Sequence, residues 1–324
     1  MVPLINEDLA DIKKKLRSDP GDPFALRGAA AHSLREGYYK QAQNLYTQAR
    51  AACPHLLPSI LLDFEQAIGS GPEKIGPRYS LAGFLIAAGE IDSAVLELEE
   101  TIDDFPQKAE AYQALGKIYI RQEKIDEAIA ILERSIVSGA LDVSLREILA
   151  SAYLERGRLH DAIRFYEEIE ALKPGDKQTL RILGELYTRT ENHLKAARSY
   201  ESMFSEDPEV VREVIQRLED LLRRVEGSIE IREILSGIYM RTLNPEAAVA
   251  KLREILRLES SKLEEVIQKL RTILKSYPNL PSAVLALGEA LQIQVNYSEA
   301  AECYHQLVKD NPQYMEEAIS GYRR

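Results

Sequence analysis

Residues 109–142 read AEAYQALGKIYIRQEKIDEAIAILERSIVSGALD, and this stretch decides the fold. Tyr112, Leu115, Gly116 and Tyr119 recur at helical spacing on one face, and Ala128 and Leu132 on a second. The pattern predicts two antiparallel helices. Small residues at Gly116 and Ala128 let them approach closely, and the large ones interdigitate around that contact.

The stretch is repeated along the chain. Ala94, Ala128, Ala162 and Ala196 are spaced by 34 residues, while Ala42, Ala248 and Ala300 continue the series at steps of 52. With this alanine as position 20, units begin at Pro23, Ile75, Ala109, Val143, Lys177, Ile229 and Pro281. Position 8 is then always small (Ala30, Ala82, Gly116, Ala150, Gly184, Ser236, Gly288), and position 24 is always Tyr or Leu. Gly37, Gly89 and Gly157 at position 15, and Asn192, Asn244 and Asn296 at position 16, are expected to supply the left-handed residue that ends each first helix. Proline at position 32 (Pro54, Pro106, Pro174, Pro208, Pro312) halts the second helix or starts the next segment.

Each step of 52 contains an 18-residue insert: 57–74, 211–228 and 263–280. Their apolar residues align with i, i+3, i+4, i+7 spacing, as in Leu263, Val266, Ile267 and Leu270, so each predicts an amphipathic extra helix. Residues 1–22 supply a capping helix through Leu9, Ile12 and Leu16. Met315, Ala318, Ile319 and Tyr322 match the insert columns again, which predicts that 315–324 begin a further helix. Either that helix is a short cap, or the chain is the N-terminal part of a longer polypeptide, the second being the favoured expectation. Gly69-Ser70-Gly71-Pro72-Glu73-Lys74-Ile75-Gly76 reads as a linker, since it lacks the G-x-x-x-x-G-K-S/T order and no strand pattern precedes it.

These columns resemble the tetratricopeptide repeat family over residues 23–314. The resemblance implies an all-α, right-handed α-solenoid of seven helix hairpins with three extra inserted helices. Its repeats would be 23–56, 75–210 (four units), 229–262 and 281–314. At position 4, where the family often carries Trp, this chain has Arg78, Arg146 and Arg232, and the arginines predict a partly exposed column. In the family, positions 2, 5, 9, 12 and 13 of the first helices line a concave groove that holds a partner peptide or helix. Carried over, the partner-binding residues are Phe24, Arg27, Tyr79, Gln113, Lys117, Ile120, Glu147, Leu154, Arg181, Glu185, Arg189 and Glu233. Small residues at position 9 (Ala31, Gly83, Ser151, Gly237) either leave room for a ligand backbone or allow close helix packing. The family's carboxylate clamp uses Lys at 5 with Asn at 9. No unit here has that pair, so chaperone tails are not the expected ligand.

Composition bounds the remaining readings. The 324 residues carry 41 Lys and Arg against 52 Asp and Glu, a net charge of −11, which argues against a general phosphate-binding surface and predicts no nucleic-acid partner. No apolar run approaches the ~18–20 residues of a membrane span, and Met1 to Asp8 lack a signal-peptide pattern, so a soluble cytoplasmic protein is expected. Cys53 and Cys303 read as free thiols. His32, His55, His160, His193 and His305 are scattered without metal-ligand spacing, and no catalytic motif, metal site or cofactor is expected. Nine tyrosines fall in packing columns 4, 11 or 24 and are assigned to the core. The sequence thus predicts a non-catalytic interaction scaffold with a protein or peptide partner. The alternative is a regulatory or adaptor segment whose effector domain lies outside this chain. Self-association through the apolar face of the C-terminal repeat is a further expectation.

Overall fold

The computed structural model describes residues 9–70 and 74–322, so Met1 to Asp8 and the Gly71-Pro72-Glu73 part of the expected linker lie outside the described residues. The described residues form nineteen α-helices and three short 3₁₀ segments, with no strand among them. They divide into two compact units, one ending at Ile169 and one beginning at Glu170.

The first unit holds α1 (Leu9–Ser18), α2 (Pro23–Arg35), α3 (Tyr39–Ala52), α4 (Leu57–Ser70), α5 (Ile75–Ala88) and α6 (Ile91–Asp104). It continues through α7 (Ala109–Arg121), α8 (Ile125–Val137), α9 (Val143–Glu155) and α10 (Leu159–Leu172), whose last residues fall in the second unit. Packing is between neighbours in sequence: α2 on α3, α5 on α6, α7 on α8, and each pair on the next. The core is the apolar columns. Ala94, Ala128, Leu115 and Leu149 are fully buried, and Tyr46, Phe64 and Phe84 form an aromatic cluster with centroids 4.9–6.1 Å apart. Gly69, Ser70, Ile75 and Gly76 belong to α4 and α5. The expected linker is therefore shorter than its composition suggests, because burial of α4 extends the helix through a weak helix former.

The second unit holds α11 (Lys177–Arg189), α12 (His193–Ser202), α13 (Pro208–Arg224), α14 (Ile229–Arg241) and α15 (Pro245–Leu258). Beyond these lie α16 (Leu263–Ser276), α17 (Pro281–Ile293), α18 (Tyr297–Asp310) and α19 (Met315–Tyr322). Its main core joins α14 to α19, with Leu252, Leu270, Leu291 and Ala318 buried. Close approach within the helix pairs depends on position 8. A Cβ added at Gly184 would stand 2.3 Å from the Tyr200 ring, and one at Gly288 2.7 Å from the Tyr304 ring.

Caps set the helix ends. Asp22, Asp142 and Asp176 accept backbone N–H bonds of 2.7–3.1 Å at the starts of α2, α9 and α11. Gly37, Gly89 and Gly157 have φ of 81°, 81° and 75° and are the left-handed residues expected of them. Asn192, Asn244 and Asn296 are not. Their φ values are negative, and each side chain instead accepts a bond from the third residue beyond, capping α12, α15 and α18. The left-handed residues of those turns are Glu191, Leu243 and Val295, one position earlier. Position 15 therefore carries the turn whatever its side chain, because the distance between helix ends admits one geometry.

Candidate functional site

The face carrying positions 2, 5, 9, 12 and 13 is occupied, in places, by the chain's own inserted helices. Arg27 is only 2% exposed. Its Nε and Nη2 each donate to Asp63 of α4 at 2.7 Å, and Nη2 also donates to the Ser59 carbonyl at 3.1 Å. Arg181 makes the same two-pronged bond to Glu213 of α13 at 2.7 Å, and Glu185 accepts from Arg217 at 2.8 Å. Glu233 pairs with Lys262 at 3.1 Å and with Lys269 of α16 at 3.7 Å. The aligned insert residues Asp63, Arg217 and Lys269 each oppose the charge of the first-helix residue they meet. None of them was singled out from the sequence, although the sign reversal between the insert and the preceding helix is legible in it.

The other assigned residues lie as follows. Phe24 is exposed at the start of α2. Tyr79 on α5, Gln113 and Ile120 on α7, and Leu154 on α9 are half-buried. Lys117, Glu147 and Arg189 are exposed. Gln113 Nε2 donates to Asp142 at 3.0 Å, bridging α7 to the cap of α9. Burial, then the nearby Glu110 carboxylate, pushes the Tyr79 hydroxyl up to about 12. Ile86, Ile120 and Leu154 occupy position 12 of successive first helices as a half-exposed aliphatic row, with Lys117 and Arg121 beside it. No inserted helix follows α6, α8 or the start of α10 to cover α7 and α9. Of the small residues at position 9, Gly83 packs against the Gln43 amide, whereas nothing lies within 4 Å of a Cβ built on Gly237.

Of the arginines at position 4, Arg78 and Arg146 are half-buried, as expected of a partly exposed column, and Arg232 is buried. Arg146 Nε donates to Glu168 at 2.9 Å, and Arg232, 8% exposed, donates to Glu254 at 2.8 Å. Arg78 lies among Glu97, Glu100 and Asp104 at 2.9–3.6 Å. Glu100, Glu168 and Glu254 all stand at position 26, on the partner helix of the same hairpin. Units without the arginine have Gln48, Arg134, Ser202 and Gln306 there. An arginine can thus take the place of an aromatic wedge, its stem packed on apolar neighbours and its charge met by a carboxylate.

Seven of the nine column tyrosines are buried, and Tyr119 and Tyr239 are half-buried. The position 11 hydroxyls donate to glutamates twenty residues earlier: Tyr119 to Glu99, Tyr153 to Glu133, and Tyr239 to Glu219. Burial and that carboxylate raise all three phenols. They tie neighbouring elements rather than form a ligand cage. Cys53 and Cys303 are free thiols, half-buried, with burial pushing Cys303 up to about 11. Among the described residues no cluster of His, Cys, Asp and Glu is placed to hold a metal ion, and no helix is long and apolar enough to cross a membrane. On α19, Ala318 is buried, whereas Met315 and Ile319 are 49% and 41% exposed.

The sequence profile described as tetratricopeptide repeat matches residues 85–143, 114–177 and 149–209. Among solved structures, MamA (AMB-1) is similar at 19% identity over 56% of this chain and 89% of that one, with a TM-score of 0.40. YrrB, described as a TPR protein with an unusual peptide-binding site, is similar at 16% identity over 61% and 92%, with a TM-score of 0.36. A tetratricopeptide repeat protein from Parabacteroides merdae ATCC 43184 is similar at 15% identity over 76% and 98%, with a TM-score of 0.38. A search of curated protein sequences finds no match.

Proposed function

The chain is a tetratricopeptide repeat protein, and from that premise we propose that it is a non-catalytic platform holding a partner peptide or helix on the first-helix face of α5, α7 and α9. One observation carries the reading. The inserted helices α4, α13 and α16 engage Arg27, Arg181, Glu185 and Glu233 of α2, α11 and α14, whereas α7 and α9 meet no such helix. What is left bare is an aliphatic row, Ile86, Ile120 and Leu154, flanked by Lys117, Arg121 and Glu147. An apolar seam with charged borders suits an extended segment, or an amphipathic helix laid along it.

The test compares partner recovery, from the native lysate, by wild type and by the combined Lys117→Glu, Ile120→Glu and Leu154→Glu variant. Arg27 and Arg181 are left intact, because changing them breaks an internal ion pair. Recovery should fall for the variant, and partner binding should protect α7 and α9 amides from exchange. A variant that keeps its helical circular dichroism and recovers the same partners refutes the site.

A further inference from the structure

The second inserted helix is seated unlike the third. α12 has 10 residues, whereas α15 and α18, the second helices of the following pairs, have 14. The lost turn lets Phe204 leave the helix and lie against the Arg241 guanidinium, 3.7 Å from its ring centre. α13 starts early, at Pro208, with Asp207 as its cap. Ile267 of the third insert is 1% exposed, but its counterpart Ile215 is only half-buried. The difference is a hollow of about 840 Å³ walled by Phe204, Pro208, Val211 and Ile215, with Arg212 and Arg241 among its lining.

The cations around this hollow differ from the arginines that sit in the helix interfaces. Arg27, Arg78, Arg146, Arg181 and Arg232 all meet carboxylates, as befits a net charge of −11. Arg212 and Arg241 are exposed, and neither is paired with a carboxylate among the described residues. Lys177 adds a third cation at the edge, donating to Ser205 at 3.1 Å, and Glu206 is the one acidic residue in the lining. A guanidinium stacked on a ring by its face keeps its N–H edge free for a carboxylate. The volume lies in the range of small-ligand pockets, ample for one large side chain.

We propose that this hollow is a second docking site, which takes a peptide bearing an apolar anchor beside an acidic residue. The anchor inserts between Phe204, Val211 and Ile215, and the carboxylate bridges Arg212 and Arg241. This site is independent of the α5, α7 and α9 face.

The test is fluorescence anisotropy with three labelled peptides: Ser-Glu-Phe-Asp-Gly-Ser, the same with Phe replaced by Ala, and the same with both acids replaced by Lys. Wild type should bind the first saturably and the other two at least about tenfold more weakly. Combined Arg212→Ala and Arg241→Ala should weaken the first peptide by a similar factor, and both residues are exposed, so the fold should survive. Ile215→Ser is the second variant, expected to weaken binding by losing the anchor contact. Lys117→Glu, which belongs to the other face, should leave the affinity for these three peptides as it is in wild type. The proposal is overturned if wild type binds none of the peptides, if the arginine variant binds normally, or if the lysine peptide binds equally well. Competition by single-stranded RNA without binding of the acidic peptide would also overturn it, by making the cations a phosphate site. Loss of binding in Lys117→Glu would place the peptide on the other face.

Discussion

At the scale of single residues, Arg78 shows how a charged residue is kept inside a hairpin, and at what cost. Three carboxylates surround it, and the Glu97 Oε1, 3.6 Å from the Arg78 Nη1, is buried and accepts no hydrogen bond. Burial chiefly, and then repulsion from Glu100 and Asp104, push the Glu97 carboxyl up to about 7 despite the arginine. The folded protein therefore binds a proton that the unfolded chain has released above its ordinary carboxylate range. Stability from this group is complete at acid pH and is lost as pH rises towards 7 and above. Glu97→Gln should accordingly raise the denaturation midpoint at pH 8 and leave it nearly unchanged at pH 4, as chemical denaturation at the two pH values would show. Arginine at position 4 and the partial exposure of Arg78 and Arg146 are legible in the sequence, whereas the burial of Arg232 and the carboxylates that meet all three are not. The glutamate at position 26 that answers Arg146 and Arg232 is on another helix, and only the hairpin brings it near. The asparagines at position 16 cap the second helices instead of supplying the left-handed turn that their residue type predicts. Asn suits both a left-handed turn and an N-cap, and the choice falls to whichever helix end lies closer.

At the scale of elements, the inserted helices were legible as helices but not as covers. Their apolar spacing announced one face to bury; it did not say which neighbour would receive it. The structure shows two grades of attachment. Arg27 and Asp63 are almost wholly withdrawn from water and also engage the Ser59 carbonyl and the Tyr46 hydroxyl. Arg181, Glu213, Arg217 and Glu185 remain partly in water. Removing one partner of a buried pair strands the other charge, at about 3–5 kcal/mol, whereas a solvated pair contributes under about 1 kcal/mol. Arg27→Ala should therefore lower the unfolding free energy far more than Arg181→Ala, and added salt should weaken only the second attachment. Urea titrations of both variants at low and high salt would check this, equal losses being the contrary result.

At the scale of the whole molecule, most packing joins elements adjacent in sequence, as in an array whose stability is a sum of local hairpins and their interfaces. In such an array the elements with the fewest packed neighbours open first. Amides of α1 and of the eight-residue α19 should exchange much faster than those of α7 and α8, which have neighbours on both sides. Exchange mass spectrometry would measure this, and uniform protection would count against it. The sequence by itself determined the helical class, the hairpin unit and the presence of the extra helices. Those depend on spacing along one helix and on side-chain size at positions 7, 8, 20 and 24, which short-range geometry imposes wherever the pattern occurs. Tertiary structure alone decided which first helices stay bare, where Arg27 and Arg232 hide, and that one shortened helix opens a hollow beneath Arg241. These depend on which side chains of opposite sign, far apart in the chain, are brought within reach, and no local period encodes that.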